Sequence, residues 1–309
     1  MHDLIIIGAG AAGLSAAVYA LGKRLDILII YEDPAGKAGT RQHLADEHHA
    51  EFIPGADAVR AFERHVTIRA GHALRDRVLE VTKSEGVFHV ATQHHGVRHA
   101  QAVIVATGAA PIRLDVPGAS ELLNQGLSYS ATTHVHLLTH KTAAVIGASV
   151  RALRGAAELA RVAAKVYLIS ADEASLETPL AVALRRYSNV ELLPGYQVRE
   201  IVGEESVEEL LLSRDGRKLR LKVDAAFVAV GVAPNSACVS RLAQTDSEGF
   251  IWVDERNATT VPGLFAAGDV TTSFGEQILI AIGDGARAAL SAYDYLLAHV
   301  PVPEAVEAE

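Results

Sequence analysis

Three glycines near the start of the chain follow an apolar run with the spacing Gly-x-Gly-x-x-Gly. The run is Leu4-Ile5-Ile6-Ile7, and the glycines are Gly8, Gly10 and Gly13, with Ala11-Ala12 between the last two. Gly8 permits a tight turn, Gly10 lets backbone amides approach a pyrophosphate, and Gly13 lets a helix pack closely on a strand. These residue types predict a site for a phosphate-bearing dinucleotide at a helix N-terminus, where unpaired N–H groups face the ligand.

An acidic residue stands about 20 residues beyond these glycines, as in other sites of this kind. Residues 14–21 predict a helix of small residues, and the run 26–30 predicts a second buried strand that ends at Tyr31 and Glu32. Glu32 can accept hydrogen bonds from ribose hydroxyls and would repel a 2′-phosphate. Strand, helix, strand and acid together predict a complete βαβ unit.

A second unit of the same design occupies residues 141–169. Its pattern predicts a strand, a turn, a helix and a strand, in that order. In the turn, Gly147 and Ala152 suit the positions that need small residues, but Ser149 stands where the pattern has its second glycine. The sequence therefore predicts two dinucleotide-type units, of which the second departs from the pattern.

The remaining segments predict short strands and one long helix. Hairpins are predicted around Gly86 and Gly216, and buried strands at residues 102–106 and 226–230. Residues 277–298 predict the long helix. Strands that alternate with helices predict an α/β fold with parallel sheets.

Composition limits the classes of function. The 309 residues are enough for two domains, and half of them are apolar. The single cysteine, Cys238, excludes an intramolecular disulfide or dithiol pair, and we expect it in a core. A formal charge of −9 argues against nucleic acid or an anionic membrane as a partner. Since no targeting segment is visible and no run reaches the roughly 18 to 20 apolar residues that span a bilayer, we expect a cytoplasmic protein.

Fourteen histidines raise the question of a metal site. None of them has a spacing typical of metal ligands. The pair His94-His95 falls in a predicted turn and is expected to be solvated. We therefore predict that the chain has no metal site.

These motifs, with a further one near the C-terminus, resemble a known family. Residues 261–269 read Val-Pro-Gly-Leu-Phe-Ala-Ala-Gly-Asp, and residues 106–109 and 231–235 also match it. The chain is similar over nearly its whole length to the low-molecular-weight thioredoxin reductases, within the pyridine nucleotide-disulfide oxidoreductase superfamily. The resemblance implies FAD, with Asp269 at its ribitol. It assigns to the FAD site the residues Gly8, Gly10, Ala11, Ala12, Gly13, Tyr31, Glu32, Gly36, Lys37, Val78, Ala106, Thr107, Gly108, Gly268, Asp269, Glu276, Gln277 and Ile278.

The resemblance also implies the domain organisation. It predicts two Rossmann-like dinucleotide-binding domains, the second inserted in the first. The FAD-binding domain would comprise residues 1–112 and 246–309, and the inserted pyridine-nucleotide-type domain residues 113–245. A homodimer is the habit of the family.

One departure from the family removes its redox chemistry. Ser130 and Thr133 stand where the family has the two cysteines of its Cys-x-x-Cys motif. A hydroxyl near neutral pH is neither a thiolate nucleophile nor reversibly oxidisable. His134 follows, either as a hydrogen-bond or proton donor that faces the flavin or as a tolerated polar residue. Lys37, in a loop that differs from the family's, could carry a charge toward the flavin or its pyrophosphate.

A second departure concerns the nicotinamide nucleotide. Family members that use NADPH carry basic residues after the second strand of the inserted unit, but this chain has Ser170-Ala171-Asp172-Glu173 there. Two acids would repel a 2′-phosphate, and Ser149 crowds the pyrophosphate position. NADPH is therefore disfavoured, and NADH stays open.

Together these observations favour an FAD-dependent oxidoreductase that exchanges electrons directly at the flavin and is not a thioredoxin-disulfide reductase. Its donor would be a redox protein or a small molecule. Two alternatives stay open, an NAD(P)H-dependent ferredoxin or flavodoxin reductase and a non-catalytic FAD-binding redox sensor or interaction protein. The catalytic residues are not identified by the sequence.

Overall fold

The computed structural model describes residues 1–33, 36–39, 64 and 72–299. The helices are α1 (Ala11–Gly22), α2 (Ala131–His134), α3 (Val150–Leu159), α4 (Pro179–Leu184) and α5 (Ile278–His299). The strands are β1 (His2–Ile7), β2 (Ile27–Tyr31), β3 (Ala73–Arg75), β4 (Val78–Ser84), β5 (Val87–Thr92), β6 (Val97–Val105), β7 (Ala109–Pro111), β8 (Leu127–Ser128), β9 (Thr142–Ile146), β10 (Lys165–Ser170), β11 (Val190–Pro194), β12 (Gln197–Val202), β13 (Glu209–Arg214), β14 (Arg217–Lys222), β15 (Ala225–Val228), β16 (Val232–Pro234) and β17 (Leu264–Ala266). They form two compact units, whose described residues are 1–33, 36–39, 64, 72–110 and 233–299 in the first and 111–232 in the second.

The first unit is built on a seven-stranded sheet. Six strands follow the order β3-β2-β1-β6-β5-β4, and β17 pairs with β6. Strands β3, β2, β1, β6 and β17 are parallel, whereas β4 and β5 form an antiparallel hairpin next to β6. Because the carboxyl ends of parallel strands lie at one edge of a sheet, Gly8, Glu32, Ala106 and Gly268 are placed along the same edge.

Strand β1 is buried on both faces, which explains its continuous apolar sequence. Leu4 and Ile6 pack in one cluster with apolar residues of α1 and α5. Ile5 and Ile7 pack in a second cluster on the opposite face, with Phe88 of β5. Side chains alternate between the two faces of a strand, so a core on each side requires an apolar residue at every position.

The second unit contains the second βαβ segment. Its parallel sheet has the order β11-β10-β9-β15-β8, and a separate antiparallel sheet has the order β12-β13-β14. Helix α3 connects β9 to β10, which pair in parallel. The fold is therefore α/β with two Rossmann-like units, the second inserted in the first, as the sequence predicted.

The chain crosses between the units at residues 110–111 and 232–233, and the connecting strands β7 and β16 pair with each other. The sequence placed the domain boundaries at residues 112–113 and 245–246, and that division stays a prediction. Cys238 and Val239 pack in the core of the first unit. Which unit holds which nucleotide stays a prediction.

A buried carboxylate organises the turn between β5 and β6. The side chain of Asp76 is fully buried, and its Oδ2 accepts hydrogen bonds from His95 Nδ1 at 2.6 Å and from the backbone N–H groups of His94 and His95. Its Oδ1 accepts the N–H of Arg77 at 2.7 Å. His94 and His95 are both exposed, as the sequence predicted, and the hydrogen bond of His95 to Asp76 is an additional contact that the sequence did not show.

Two kinds of feature are absent from the residues that the structure describes. Within the described ranges, no helix is long and apolar enough to cross a membrane. The same residues contain no group of three or more His, Cys, Asp or Glu side chains that could hold a metal ion. Cys238 is buried in a core, as predicted, and burial raises the pKa of its thiol to about 11.

Candidate dinucleotide site

Two glycines of the first turn are required by packing. Gly8 has φ of 108°, and a Cβ there would collide with the carbonyl oxygen of Ala106. A Cβ at Gly13 would collide with the carbonyl oxygen of Gly8. The turn after β1 therefore lies directly against the end of β6, and α1 directly against the turn. This is the close packing that the spacing predicted for Gly8 and Gly13.

Gly10 has a different role. It is the N-cap residue of α1, and a Cβ added to it would meet no atom of the described residues within 4 Å. The first-turn residues of α1, Ala11, Ala12 and Gly13, are buried, so their backbone provides the helix N-terminus without a competing side chain. Such an end binds anions through unpaired N–H groups and the partial positive charge of the helix.

The acid at the end of β2 has a basic neighbour that the sequence did not reveal. The carboxylate of Glu32 is exposed, and its Oε1 lies 3.8 Å from Arg77 Nε. Its backbone carbonyl accepts a hydrogen bond from Arg75 Nε at 3.1 Å. Tyr31 is half-buried against the core, and Val78, another predicted cofactor residue, packs against the opposite core cluster at the start of β4. The exposed carboxylate of Glu32 is accessible to a ligand, Val78 also packs on a core, and the cofactor roles of both residues stay predictions.

The end of β6 is tied to the returning chain. Thr107 Oγ1 donates a hydrogen bond to the carbonyl oxygen of Asn235 at 2.7 Å, and Asn235 Nδ2 donates to the Thr107 carbonyl oxygen at 2.9 Å. The N–H of Asn235 also bonds to the carbonyl oxygen of Gly108, whose φ is 68°. These reciprocal bonds fix the segment 106–108 to the returning chain at Asn235, and its role in the cofactor site stays a prediction.

Two predicted cofactor residues, Asp269 and Glu276, contact a third, the cation of Lys37. Lys37, in the 3₁₀ turn Gly36–Gly39, places its Nζ 2.8 Å from Asp269 Oδ2 and 3.3 Å from Glu276 Oε2. A Cβ at Gly36 would lie 3.5 Å from the Cα of Gly10, so this turn approaches the glycine turn closely. The sequence predicted that Lys37 could carry a charge toward the flavin or its pyrophosphate. The structure shows that Asp269 and Glu276 lie next to this charge.

The small residue before Asp269 is explained by packing on α1. Gly268 has φ of 75°, and a Cβ there would lie 3.1 Å from the Cβ of Ala12. Helix α5 begins at Ile278, and the carbonyl oxygen of Gln277 accepts the N–H of Ala281. The N-terminus of α5 and the turn that carries Asp269 therefore lie beside the first turn of α1.

One residue near this turn was missed by sequence reasoning. Asp284 of α5 is buried, and the backbone N–H of Gly268 donates a hydrogen bond to its carboxyl group. No signal in the sequence distinguishes it from an exposed helical acid, because neighbours in α5 include both buried and exposed positions.

These features fit FAD. The space beside Gly10 would admit a pyrophosphate, and the uncapped N-terminus of α1 would donate hydrogen bonds to it. The carboxylates of Glu32 and Asp269 would accept hydrogen bonds from ribose and ribitol hydroxyls. A dinucleotide such as FAD is therefore compatible with these groups, and its assignment to this unit stays a prediction.

The turn of the second unit repeats the packing but not the open end. Gly147 has φ of 127°, and a Cβ there would collide with the carbonyl oxygen of Ala229, which matches the relation of Gly8 to Ala106. Ser149, however, is the N-cap of α3. Its Oγ accepts the N–H of Ala152 at 3.2 Å and donates to the Ala229 carbonyl oxygen at 2.9 Å. One of the helix N–H groups that a phosphate would use is therefore already bonded.

The acids after β10 are engaged by the protein. Glu173 Oε1 lies 2.6 Å from Arg214 Nη2, and Asp172 Oδ1 accepts the N–H of Ala174 at 3.1 Å. Arg214 also donates to the carbonyl oxygen of Pro194 at 2.9 Å. The charge of Glu173 is thus partly balanced, which weakens the repulsion of a 2′-phosphate that the sequence alone implied.

The segment that replaces the family's cysteines begins helix α2. Ser130 is its N-cap residue, and Thr133 lies within it. His134 Nδ1 lies 2.9 Å from the carbonyl oxygen of Ser130, and since a carbonyl only accepts, this nitrogen carries the proton in that contact. The Oγ of Ser128 lies 3.4 Å from the same nitrogen. Orientation of His134 toward a flavin stays a prediction.

Comparison with known proteins identifies the family. The model of the pyridine nucleotide-disulphide oxidoreductase family matches residues 2–285. The chain belongs to this family. One component of alkyl hydroperoxide reductase in Staphylococcus aureus (strain NCTC 8325) is 30% identical over 300 residues, which cover 96% of this chain and 59% of that protein. The chain thus spans about three-fifths of the length of the curated relatives it matches.

Solved structures of the pyridine nucleotide-disulphide oxidoreductase family share the fold. Thioredoxin reductase from Streptococcus pyogenes MGAS5005 superposes with a TM-score of 0.83 at 27% identity, over 96% of this chain and 99% of that one. Thioredoxin reductase from T. acidophilum has a TM-score of 0.65 at 31% identity, with the same two coverages. A pyridine nucleotide-disulphide oxidoreductase uses FAD and a nicotinamide nucleotide, so the chain is an oxidoreductase of this thioredoxin reductase-like kind.

Proposed function

We propose that this chain is an FAD-dependent oxidoreductase that exchanges electrons directly at the flavin, without a protein dithiol and without dependence on NADPH. The chemistry would be that of the flavin, which accepts a pair of electrons from a donor and passes them to an acceptor. The protein would bind the cofactor, orient it and set its electrostatic environment.

The state of the single cysteine carries this proposal. Cys238 lies in the core of the first unit, and burial raises the pKa of its thiol to about 11, so almost no thiolate forms near neutral pH. The positions of the family's cysteine pair hold Ser130 and Thr133. Disulfide exchange requires a thiolate that attacks a disulfide sulfur, and this chain offers none at that place.

The capped turn of the second unit supports the proposal that the chain does not depend on NADPH. Ser149 bonds to a helix N–H and to the Ala229 carbonyl oxygen, whereas Gly10 leaves the corresponding space open in the first unit. No arginine or lysine stands in the segment 170–173, where a 2′-phosphate would be paired. NADH needs no such pairing and is the nicotinamide nucleotide we retain.

The residues of the first unit would act on FAD as follows. The N-terminus of α1 would bind the pyrophosphate, Glu32 would accept hydrogen bonds from the adenosine ribose, and Asp269 would accept them from the ribitol. Lys37 would balance the charge of Asp269 and Glu276 beside the cofactor. The N-terminus of α5 would favour negative charge on the reduced isoalloxazine ring.

An anaerobic reduction experiment tests the proposal. The purified protein is expected to be yellow, or to become yellow with added FAD, and to be bleached by NADH or by a reduced ferredoxin but not rapidly by NADPH. Thioredoxin or an aromatic disulfide should not be reduced with any donor. Rapid bleaching by NADPH would contradict the proposed independence from NADPH. Reduction of a disulfide would contradict the proposed absence of dithiol chemistry.

The same experiment distinguishes the proposed function from a second candidate function. The ion pair between Glu173 and Arg214 lowers the negative charge after β10 and so favours an NAD(P)H-dependent ferredoxin or flavodoxin reductase. That enzyme would be bleached by NADPH and would then reduce ferredoxin or flavodoxin. A protein that holds FAD, can be photoreduced and reacts with none of these donors would instead be a redox sensor or interaction protein.

A further inference from the structure

Helix α5 carries a buried acid that is only partly satisfied. Asp284 is 4% exposed, and its Oδ2 is buried with no hydrogen-bond partner among the described residues. Its Oδ1 lies 3.4 Å from Arg287 Nη1, and the N–H of Gly268 donates to the carboxyl group. A buried carboxylate oxygen without a donor is costly, so the site calls for a partner or for a proton on that oxygen.

Asp284 lies where the predicted pyrophosphate site is assembled. Its neighbour Gly285 packs against α1 so closely that a Cβ there would collide with the carbonyl oxygen of Ala12. Gly268, which bonds to Asp284, approaches the Cβ of the same Ala12. The acid is therefore adjacent to the first turn of α1 and to the turn that carries Asp269.

The charged groups around Asp284 are few. Burial raises the pKa of its carboxyl group most, Arg287 on its own helix lowers it, and the nearby Asp269 raises it further. Lys37 and Glu276 form a charged cluster with Asp269. Three described elements pack against α5. Helix α1 begins with small neutral residues, β17 is apolar, and the charged residues of β6 lie at the start of that strand. The net direction is a pKa above the ordinary value of 3.8.

We propose that Asp284 is a proton-linked residue of the cofactor site, and that the phosphate-bearing dinucleotide binds more tightly when Asp284 is neutral. This inference rests on the proposed function, in which FAD is the ligand of the first unit. A bound pyrophosphate brings two negative charges to the N-terminus of α1, next to Asp284, and would oppose an ionised carboxylate there. A proton on Oδ2 removes that repulsion and turns the unsatisfied acceptor into a donor.

Linkage fixes the sign of the effect. If FAD binding favours the neutral acid, the complex takes up a proton and the affinity for FAD decreases as pH rises. One linked proton changes the dissociation constant by at most about tenfold per pH unit. Between about pH 5 and about pH 8.5, unperturbed Asp and Glu stay ionised and Lys stays protonated, so they contribute little to the slope.

The experiment measures the Kd of FAD for the apoprotein across this pH range. We compare the wild type with D284N, which keeps the shape but cannot ionise, and with D294N, which removes an exposed acid from the same helix. The wild type and D294N are expected to lose affinity several-fold as pH rises, whereas D284N stays flat. Equal slopes in the wild type and D284N would overturn the proposal.

A second measurement needs no variant and covers the case in which D284N fails to fold. The enthalpy of FAD binding to the wild type is measured near pH 6 in two buffers of different ionisation enthalpy. Uptake of part of a proton per FAD is expected. FAD binding without proton uptake would overturn this inference and leave the proposed function standing, whereas an apoprotein that does not bind FAD would overturn both.

Discussion

Lys37 Nζ lies 2.8 Å from Asp269 Oδ2, across 232 residues of sequence. The contact joins a turn that follows β2 to the turn that follows β17, and Glu276 lies 3.3 Å from the same nitrogen. The lysine thereby balances two acids at a site proposed to hold an anionic cofactor. A carboxylate has about four acceptor positions, so Asp269 can keep this contact and still accept a ribitol hydroxyl.

Loss of this cation should weaken FAD binding. In K37M, Asp269 and Glu276 would lose the positive charge of Lys37. We expect the Kd of FAD to rise about two- to fivefold, as for the loss of a partly exposed ion pair. Titration of apoprotein with FAD measures the change, with K37R as the control that keeps the charge. Equal affinities for FAD in K37M and the wild type at low salt would contradict this role.

Substitutions at two glycines of the first turn should have different effects, one on FAD binding and the other on stability. In G10A the methyl group meets no atom within 4 Å in the part of the chain that the structure describes, so the thermal midpoint should stay near that of the wild type while FAD affinity falls. In G13A the methyl group collides with the carbonyl oxygen of Gly8, and overpacking of this kind costs about 1–3 kcal/mol. Thermal unfolding and FAD content measure the two effects. A G10A protein that binds FAD as the wild type does would show that this space is not used by the cofactor.

Removal of the cap on α3 should improve nucleotide binding in the second unit. In S149G the N–H of Ala152 is released, and a helix N-terminus that gains an anion is stabilised by about 0.3–1 kcal/mol, so we expect NADH to bind about two- to fivefold more tightly. Replacement of a cap by glycine costs only a few tenths of a kcal/mol. T178G, which removes the cap of α4, is the matched control and should not change NADH affinity. If both variants bind NADH equally, the cap is irrelevant to the nucleotide.

The buried acid at the β5–β6 turn should make stability depend on pH. Burial raises the pKa of Asp76, but hydrogen bonds from His95, from the N–H groups of His94 and Arg77, and from Thr92 outweigh it and hold the pKa well below its ordinary 3.8. The stabilisation is therefore present above about pH 4 and is lost as pH falls through the lower folded-state value.

D76N should accordingly lower the thermal midpoint at neutral pH. The difference from the wild type should shrink in strong acid, because protonation then removes the same charge from the wild type. Unfolding of D76N, the wild type and D115N, which alters an exposed acid, is followed at several pH values. A difference that grows in acid would contradict the assignment.

The glycine turn and its strands could be predicted because their signals are local. Gly8, Gly10 and Gly13 act within one βαβ unit, and the buried strands show as unbroken apolar runs. The sequence showed that Ser149 replaces a glycine of the pattern but not that its side chain caps α3. Its bond to the Ala229 carbonyl oxygen joins segments 80 residues apart, and no local signal shows such a contact.

The side-chain network around α5 could not be predicted, for the same reason. The Lys37 cluster, the bond of Gly268 to Asp284 and the bond of His95 to Asp76 all join distant segments whose residue types are ordinary at exposed positions. The sequence also did not show which core the apolar residues near Cys238 enter, since nothing local to them distinguishes the two units.

The burial of Cys238 has a practical consequence for experiments on this chain. Cys238 is 7% exposed, and its thiol is largely protonated near neutral pH. Alkylating reagents and mild oxidants should therefore not modify the folded protein. A cysteine introduced on the surface would then be the one readily labelled position among the residues described. Distances and motions within each unit could be followed with single attached probes, without first removing the native thiol.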